Sequence, residues 1–350
     1  MSTRAKTFFR KLDLANGVVE ATHGTGGKVM AQLVEELFLP AFDSKELRAR
    51  NDGALLEVGA GQLVVSTDSY VVSPLFFPGG DIGSLAVHGT VNDVAMGGAR
   101  PLALTVGFIL EEGFPLKDLA RIVASMAAAA KAAGVPIVTG DTKVVERGKG
   151  DGVFINTTGV GMLPAGRVAP SAERMRPGDV VLVSGTMGDH GVSILSTRES
   201  LSFESELLSD SAALNSLVEL MYRAVPDLHV LRDPTRGGLA TTLNELTHHV
   251  GVGVRLREKD VPVKPQVHAA CELLGLDPLY AANEGKLLVV CAPGDAKKLL
   301  EAMKEHPLGR DAAIVGEVVE DPECFVQIDT TFGGARILDW LAGEQLPRIC

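Results

Sequence analysis

Four aspartates in the first half of the chain fall where structural elements should end: Asp52 between Asn51 and Gly53, Asp68 after Thr67, Asp93 after Asn92, and Asp141 between Gly140 and Thr142. Converging carboxylates repel one another unless a cation lies among them, so a shared site points to Mg²⁺ held together with substrate phosphates. Any one of them alone is more simply a helix cap or a turn former. Their number in one half favours a common site. A second pattern is His23-Gly24-Thr25-Gly26-Gly27-Lys28, followed by Val29, Leu33, Val34 and Leu37 at helical spacing. Gly24, Gly26 and Gly27 could offer backbone N–H groups to a phosphate at the helix start, with Lys28 adding charge, although a flexible helix entry accounts for them equally well. Lys28 is followed by Val29, so no GxxxxGK[ST] loop is present, and no strand-coupled GxGxxG occurs.

The chain ends on a cysteine. Cys350 lies on a stretch containing Gly343 and Pro347, an arm from Ala335 that could extend ~50 Å at ~3.3 Å per residue. Its own carboxylate disfavours the thiolate and Arg348 offsets this only in part, so the residue suits a swinging carrier better than a preactivated nucleophile. Chance placement is the alternative. A prenylated cysteine would lie four residues from the end. Cys271 and Cys291 fall in apolar runs and read as core thiols, and His23, His88 and His190 receive no proton-transfer role.

The 350 residues exceed two average domains, and 46% of them are hydrophobic with only 5% aromatic, so aliphatic cores are expected. The net charge of −11 lacks the basic footprint that nucleic-acid or anionic-membrane binding requires, and neither partner is expected. No apolar run reaches the ~18 residues of a membrane helix. Arg4, Lys6, Arg10 and Lys11 have no apolar segment behind them to make a secretory signal. The four cysteines show no paired spacing, which suits a reducing compartment, and the cytoplasm is the default.

These residues need elements to position them. After a flexible leader over residues 1–22, the patterns predict a helix stopped by Pro40, a hairpin over 54–58 and 62–66, and a helix capped by Asp81 running towards Met96. A strand over 101–110 follows, then an Ala-rich helix over 118–133. A short strand over 135–139 delivers Gly140 to Lys143 as a loop, and another strand spans 153–163. Pro164, Gly166 and Pro170 mark a break, and the second half repeats the alternation. The fold class is therefore α/β, an α+β sandwich of two domains. The expected divisions are residues 23–165, 166–334, and a mobile tail over 335–350.

Taken together, His23-Gly-Thr-Gly-Gly27, Ser66-Thr-Asp-Ser-Tyr70, Asn92-Asp93, Thr139 to Val145, Asp233-Pro-Thr-Arg-Gly-Gly238, Asn283-Glu-Gly-Lys286 and the terminal Pro347-Arg-Ile-Cys350 resemble the HypE family of hydrogenase maturation carbamoyl dehydratases. The match runs from about His23 to Cys350. The aspartate and glycine motifs alone would indicate the wider aminoimidazole ribonucleotide synthetase (PurM-like) superfamily. Its small-molecule kinases, of the selenophosphate synthetase or thiamine-monophosphate kinase type, are the alternative reading. Selenophosphate synthetases carry a reactive cysteine or selenocysteine near the N-terminal glycine loop, whereas the first cysteine here is Cys271.

The resemblance implies a PurM-like homodimer formed through the N-terminal-domain sheets, with ATP and Mg²⁺ bound at Gly24, Gly26, Gly27, Lys28, Asp52, Asp68, Asn92, Asp93 and Asp141. Asp52, Asp68, Asp93 and Asp141 would be the metal ligands. A partner carbamoyltransferase, HypF, would load a carbamoyl group onto Cys350. ATP-dependent dehydration would convert it to a thiocyanate, and cyanide would pass to iron on a HypC and HypD scaffold. Phosphorylation turns the carbamoyl oxygen, a very poor leaving group, into phosphate. Lys143 and Glu284 would flank the arm to orient the carbamoyl group and accept a proton.

Overall fold

A computed structural model describes residues 11–24, 28–49, 56, 58–59, 61–199, 207–341 and 348–350. In the first half, α1 (Lys28–Leu33) runs through a π turn at Val34–Phe38 into α2 (Leu39–Phe42), burying Leu33, Leu37 and Phe38, and α3 (Lys45–Ala49) follows. Then come β1 (Gly61–Tyr70), the short ribbon of β2 (Phe76–Phe77) and β3 (Gly80–Asp81), α4 (Ile82–Met96), β4 (Arg100–Glu111), α5 (Leu116–Ala133), β5 (Ile137–Val145) and β6 (Val153–Pro164). The larger sheet has the order β1-β6-β4-β5, antiparallel except for the β4–β5 pair that α5 connects. α5 is amphipathic: Leu119, Ile122, Val123 and Met126 recur at one-turn spacing and are fully buried, and Gly134 ends the helix at φ 71°.

α4 is buried nearly all round. Asp81 caps it, accepting from the N–H groups of Gly83 and Ser84. Gly89 lies on its sheet-facing side, where a Cβ would run into the Tyr70 hydroxyl. Its C-terminal Ala95 and Met96 leave the first core and pack with Leu214, Leu217 and Leu231 of the second half. One helix therefore serves two cores.

The second half contains β7 (Val180–Val183), α6 (Asp189–Arg198), α7 (Asn215–Ala224), β8 (Val230–Arg232), α8 (Gly238–Val250), β9 (Gly253–Arg257), α9 (Pro265–Leu274), β10 (Leu288–Cys291), α10 (Ala296–Glu305), β11 (Ala313–Val319), β12 (Val326–Asp329) and β13 (Ala335–Ile337). Its sheet runs β13-β12-β9-β11-β7-β10-β8, with only β12–β9 parallel among the described pairs. The two sheets with their helices form the α/β sandwich expected, and β6 ends while β7 has yet to begin around the Pro164–Pro170 break. Among the described residues, no helix is long and apolar enough to cross a membrane.

Four local expectations change. Residues 11–22 are not a free leader: Val19 is fully buried and pairs its backbone with Phe114 and Gly113, both at 2.7 Å, because the turn before α5 offers open main-chain partners. Gly140 to Lys143 lie inside β5, not in a loop after it, since β4 pairs with them in continuous register. The strand over 62–66 is part of β1 and pairs with β6, and residues 54, 55 and 57 of its proposed hairpin partner over 54–58 lie outside the described residues. The tail is not a free arm at either described end. Residues 335–337 form β13, Leu338 is fully buried, and Arg348 to Cys350 dock between the two halves.

Candidate active site at the junction of the two halves

A cavity of about 390 Å³ opens where β1, α4 and the start of α8 meet the tail, lined by Asp68, Asp93, Arg236, Glu284 and Cys350 among others. A second cavity of about 510 Å³ adjoins it, and Asp93, Arg232, Asp233 and Thr235 belong to both. The glycine-rich turn Gly237–Gly238 opens α8 with both residues in left-handed conformation, which swings Arg236 towards the tail. Its guanidinium donates to Cys350 Sγ at 3.7 Å.

The floor is acidic. Glu284 is 3% exposed and its Oε1 is buried without a hydrogen-bond partner. Burial raises its pKa well above the ordinary range, and the neighbouring carboxylates of Asp233, Asp210, Asp68 and Asp93 raise it further. Asp233 is pushed up to about 7 by burial and then by Asp93. Asp93 is raised by burial, which the Ser66 hydroxyl, donating at 2.7 Å, partly offsets. Cys350 is pushed up to about 11, by burial first and then by Glu284, with Arg236 opposing. The seated thiol is therefore protonated at neutral pH and is a poor nucleophile where it lies.

Glu284 is held by its main chain. Its N–H donates to Asp210 Oδ1 at 2.9 Å, and Asp210 Oδ2 receives the Lys286 ammonium at 3.1 Å. Its carbonyl accepts from Asn92 Nδ2 at 3.2 Å. Gly285 is required beside it, because a Cβ there would run into the Asp210 carbonyl oxygen. Asn92, expected in the nucleotide site, is 1% exposed and commits its whole amide to the second half: Nδ2 also donates to Ala212 O at 3.0 Å, and Oδ1 accepts from Leu214 N at 2.7 Å.

Of the three described aspartates, Asp141 does not join Asp68 and Asp93 within one chain, and Asp52 lies outside the described residues. Asp68, Thr157, Val106 and Gly140 form one row across the sheet, and Thr157 donates to Ala86 of α4, so this row faces the helices. Ser69, Asn156, Gly107 and Asp141 form the next row, which faces away. Asp141 and Lys143 accordingly lie on the outer face of the edge strand, paired with each other at 2.8 Å and well exposed. Lys143 holds the Asp141 carboxyl below its usual range. Lys143 thus does not flank Cys350 of its own chain. Among the described residues, no group of three or more His, Cys, Asp or Glu is arranged to hold a metal ion.

Gly24 closes a 3₁₀ turn and Lys28 opens α1; Gly26, Gly27 and Asp52 lie outside the described residues. His23 is buried, its Nδ1 accepting from Glu20 N at 2.9 Å. Arg236, Asp233, Asp210 and His190 had no role in the reading of the sequence. The first two stand in the Asp233-Pro-Thr-Arg motif, which pointed to them without saying what they do.

Known proteins resemble this chain along most of its length. Residues 50–163 match the family described as AIR synthase related protein, N-terminal domain, and residues 176–329 its C-terminal domain. The carbamoyl dehydratase HypE of Azotobacter vinelandii is 64% identical over 340 residues, covering 97% of this chain and 99% of that protein. A crystal structure of hydrogenase maturation protein HypE in complex with ATP superposes with a TM-score of 0.91 at 52% identity, over 95% of this chain and 99% of the other. A crystal structure of a HypE–HypF complex gives 0.77 at 52% identity, over 88% and 99%. A thiol at the chain end, seated over buried carboxylates between two AIR synthase-related halves and matched to these relatives along nearly its full length, places the chain in the HypE family of carbamoyl dehydratases.

Proposed function

We propose that this chain uses ATP to dehydrate a carbamoyl group carried on its own Cys350, giving a thiocyanate. The observation that carries the reading is the seating of Cys350 Sγ in a cavity against Arg236 and the buried, unpartnered carboxylate of Glu284. Loss of water from R–S–C(O)NH₂ requires the oxygen to leave as phosphate and the nitrogen to give up both protons, leaving R–S–C≡N, ADP, phosphate and one net proton. Arg236 is placed to orient the sulfur and neutralise charge developing beside it. Burial raises the proton affinity of Glu284, the property needed to take a proton from the nitrogen once the oxygen is activated.

Mg²⁺ fits the donor set of Asp68 and Asp93, hard carboxylate oxygens in a cleft whose crowded negative charge favours a cation, with nucleotide phosphates completing its shell. When bound it would neutralise the phosphates and polarise the transferring group. Gly24 and Lys28, which flank the start of α1, remain the proposed phosphate-binding residues on the strength of the sequence resemblance. A homodimer through the outer face of the first sheet would cover Leu63, Val65 and Ile109, which are 55%, 62% and 46% exposed. The same contact would bring Asp141 and Lys143 into the interface, the arrangement in which they could serve a neighbouring site.

The HypE–HypF complex among the similar structures supports HypF as the carbamoyl donor protein for this chain. In the same reading, which for these partners rests on the sequence resemblance alone, HypC and HypD accept the cyanide destined for hydrogenase iron, in the cytoplasm. Intact-protein mass spectrometry of the carbamoyl-loaded chain tests the reading. Loss of one water from Cys350 on addition of Mg-ATP is the expected result. An adduct that persists, or that loses water equally well without ATP, would sink it.

A further inference from the structure

We infer that His190 is a positioning residue that seats the C-terminal tail by its main chain, setting how far Cys350 Sγ reaches into the cavity; the inference rests on the carrier reading of Cys350. His190 is fully buried on α6, its ring edge-on to Phe77 with centroids 5.6 Å apart. Its Nε2 lies 2.9 Å from the Ile349 carbonyl oxygen and its Nδ1 2.7 Å from the Ser209 hydroxyl. A carbonyl only accepts, so Nε2 carries the proton and Nδ1 receives the Ser209 hydroxyl. The Ser209 Oγ also accepts from Ser211 N at 3.1 Å, and its O–H donating to Nδ1 supports the same tautomer from outside the tail.

His190 is one jaw of a wider grip. Val71 N donates to a terminal oxygen of Cys350 and Ser73 N to the carbonyl of Arg348, both at 3.1 Å. Arg198, about two turns further along α6, donates to the carbonyls of both Ser73 and Arg348. Each of the last three residues is therefore held by its carbonyl, and Ile349, 3% exposed, is the side chain that enters the core. The Arg348 side chain adds to the grip, its Nε donating to the Val71 carbonyl at 2.9 Å and its guanidinium pairing with Asp151. The grip leaves the thiol as the group that points to Arg236 and Glu284. Removing the Nε2 donor leaves the buried Ile349 carbonyl unsatisfied, so the seat empties more often.

The test is site-resolved iodoacetamide labelling of the full chain, with partly exposed Cys324 as the internal reference, alongside ATP-driven water loss from the carbamoyl-loaded chain. His190→Phe keeps the ring and its contact with Phe77 but has no donor; His190→Gln restores an N–H near the Nε2 position. The Phe variant is expected to raise Cys350 labelling relative to Cys324 by about tenfold, equivalent to ~1.4 kcal/mol, and to slow water loss by a similar factor. The Gln variant should recover both.

Unchanged labelling in a Phe variant with parental melting temperature would overturn the inference, as would water loss at the parental rate or failure of Gln to rescue. If the Phe variant does not fold, Ser209→Ala, which releases the tautomer, must increase labelling in the same direction. Should the parent lose no water while labelling responds as expected, the dehydratase reading fails and the seat stands.

Discussion

Asp233 offers a quantitative probe of the crowded carboxylates. Its pKa is raised to about 7 from an ordinary 3.8, by burial and by the charge of Asp93. The folded chain therefore holds this proton more tightly than the unfolded one, so stability is full on the acid side and falls as pH climbs from about 4 through about 7. At ~1.36 kcal/mol for each tenfold gain in proton affinity, an ionised Asp233 costs the fold about 4 kcal/mol at pH 8 and about 2 kcal/mol at pH 5. Asp233→Asn keeps the shape and abolishes the titration. In urea unfolding followed by circular dichroism, without nucleotide or magnesium, the variant should gain ~2–3 kcal/mol more over the parent at pH 8 than at pH 5. An identical difference at the two pH values would show that Asp233 is not held neutral by its surroundings, and the electrostatic account of the cavity would fail with it.

Deletion of Cys350 is expected to abolish water loss while leaving ATP affinity, read by calorimetry, at the parental value; weakened ATP binding would place the tail in the nucleotide site. Asn92→Ala removes three hydrogen bonds to the second half and should cost ~2–4 kcal/mol of stability by leaving buried main-chain groups unpaired, a loss that denaturant titration would reveal. Lys143→Ala breaks only an exposed pair with Asp141, so stability should move by less than ~1 kcal/mol. A fall in dehydration by that variant would then report on chemistry across a dimer, and mixing it with a Cys350-deleted chain should restore activity in the hybrid.

The elements with strong periodicity were legible in advance. α4 with its Asp81 cap, the Ala-rich α5 and the long strands β4 and β6 follow from apolar spacing and from capping chemistry that acts within a few residues. β5 was curtailed because Gly140-Asp141-Thr142-Lys143 has the composition of a turn, and only pairing with β4 extends the strand through it. The separation of Asp68 from Asp141 depends on which face of a four-stranded sheet each residue takes. That parity is a property of register across three strand pairs, and a single sequence does not display register. Asp233 and Arg236 stood in a visible motif, but their roles arise from contact with Asp93 and Cys350, more than a hundred residues away in each case. The docking of the terminus was hidden for a related reason: glycine and proline report local freedom, whereas His190, Arg198 and the main chain at 71–73 supply the restraint.

The amide of Asn92 has a consequence for traffic through the cavity. It belongs to the first half, yet all its hydrogen bonds bolt it to main chain of the second, at Ala212, Leu214 and Glu284, and α4 carries both cores on one rod. A clamshell opening between the halves would have to tear this bolt. Leu341 and Cys350 line the cavity, so the carrier of the reacting group also forms part of the wall around the reaction.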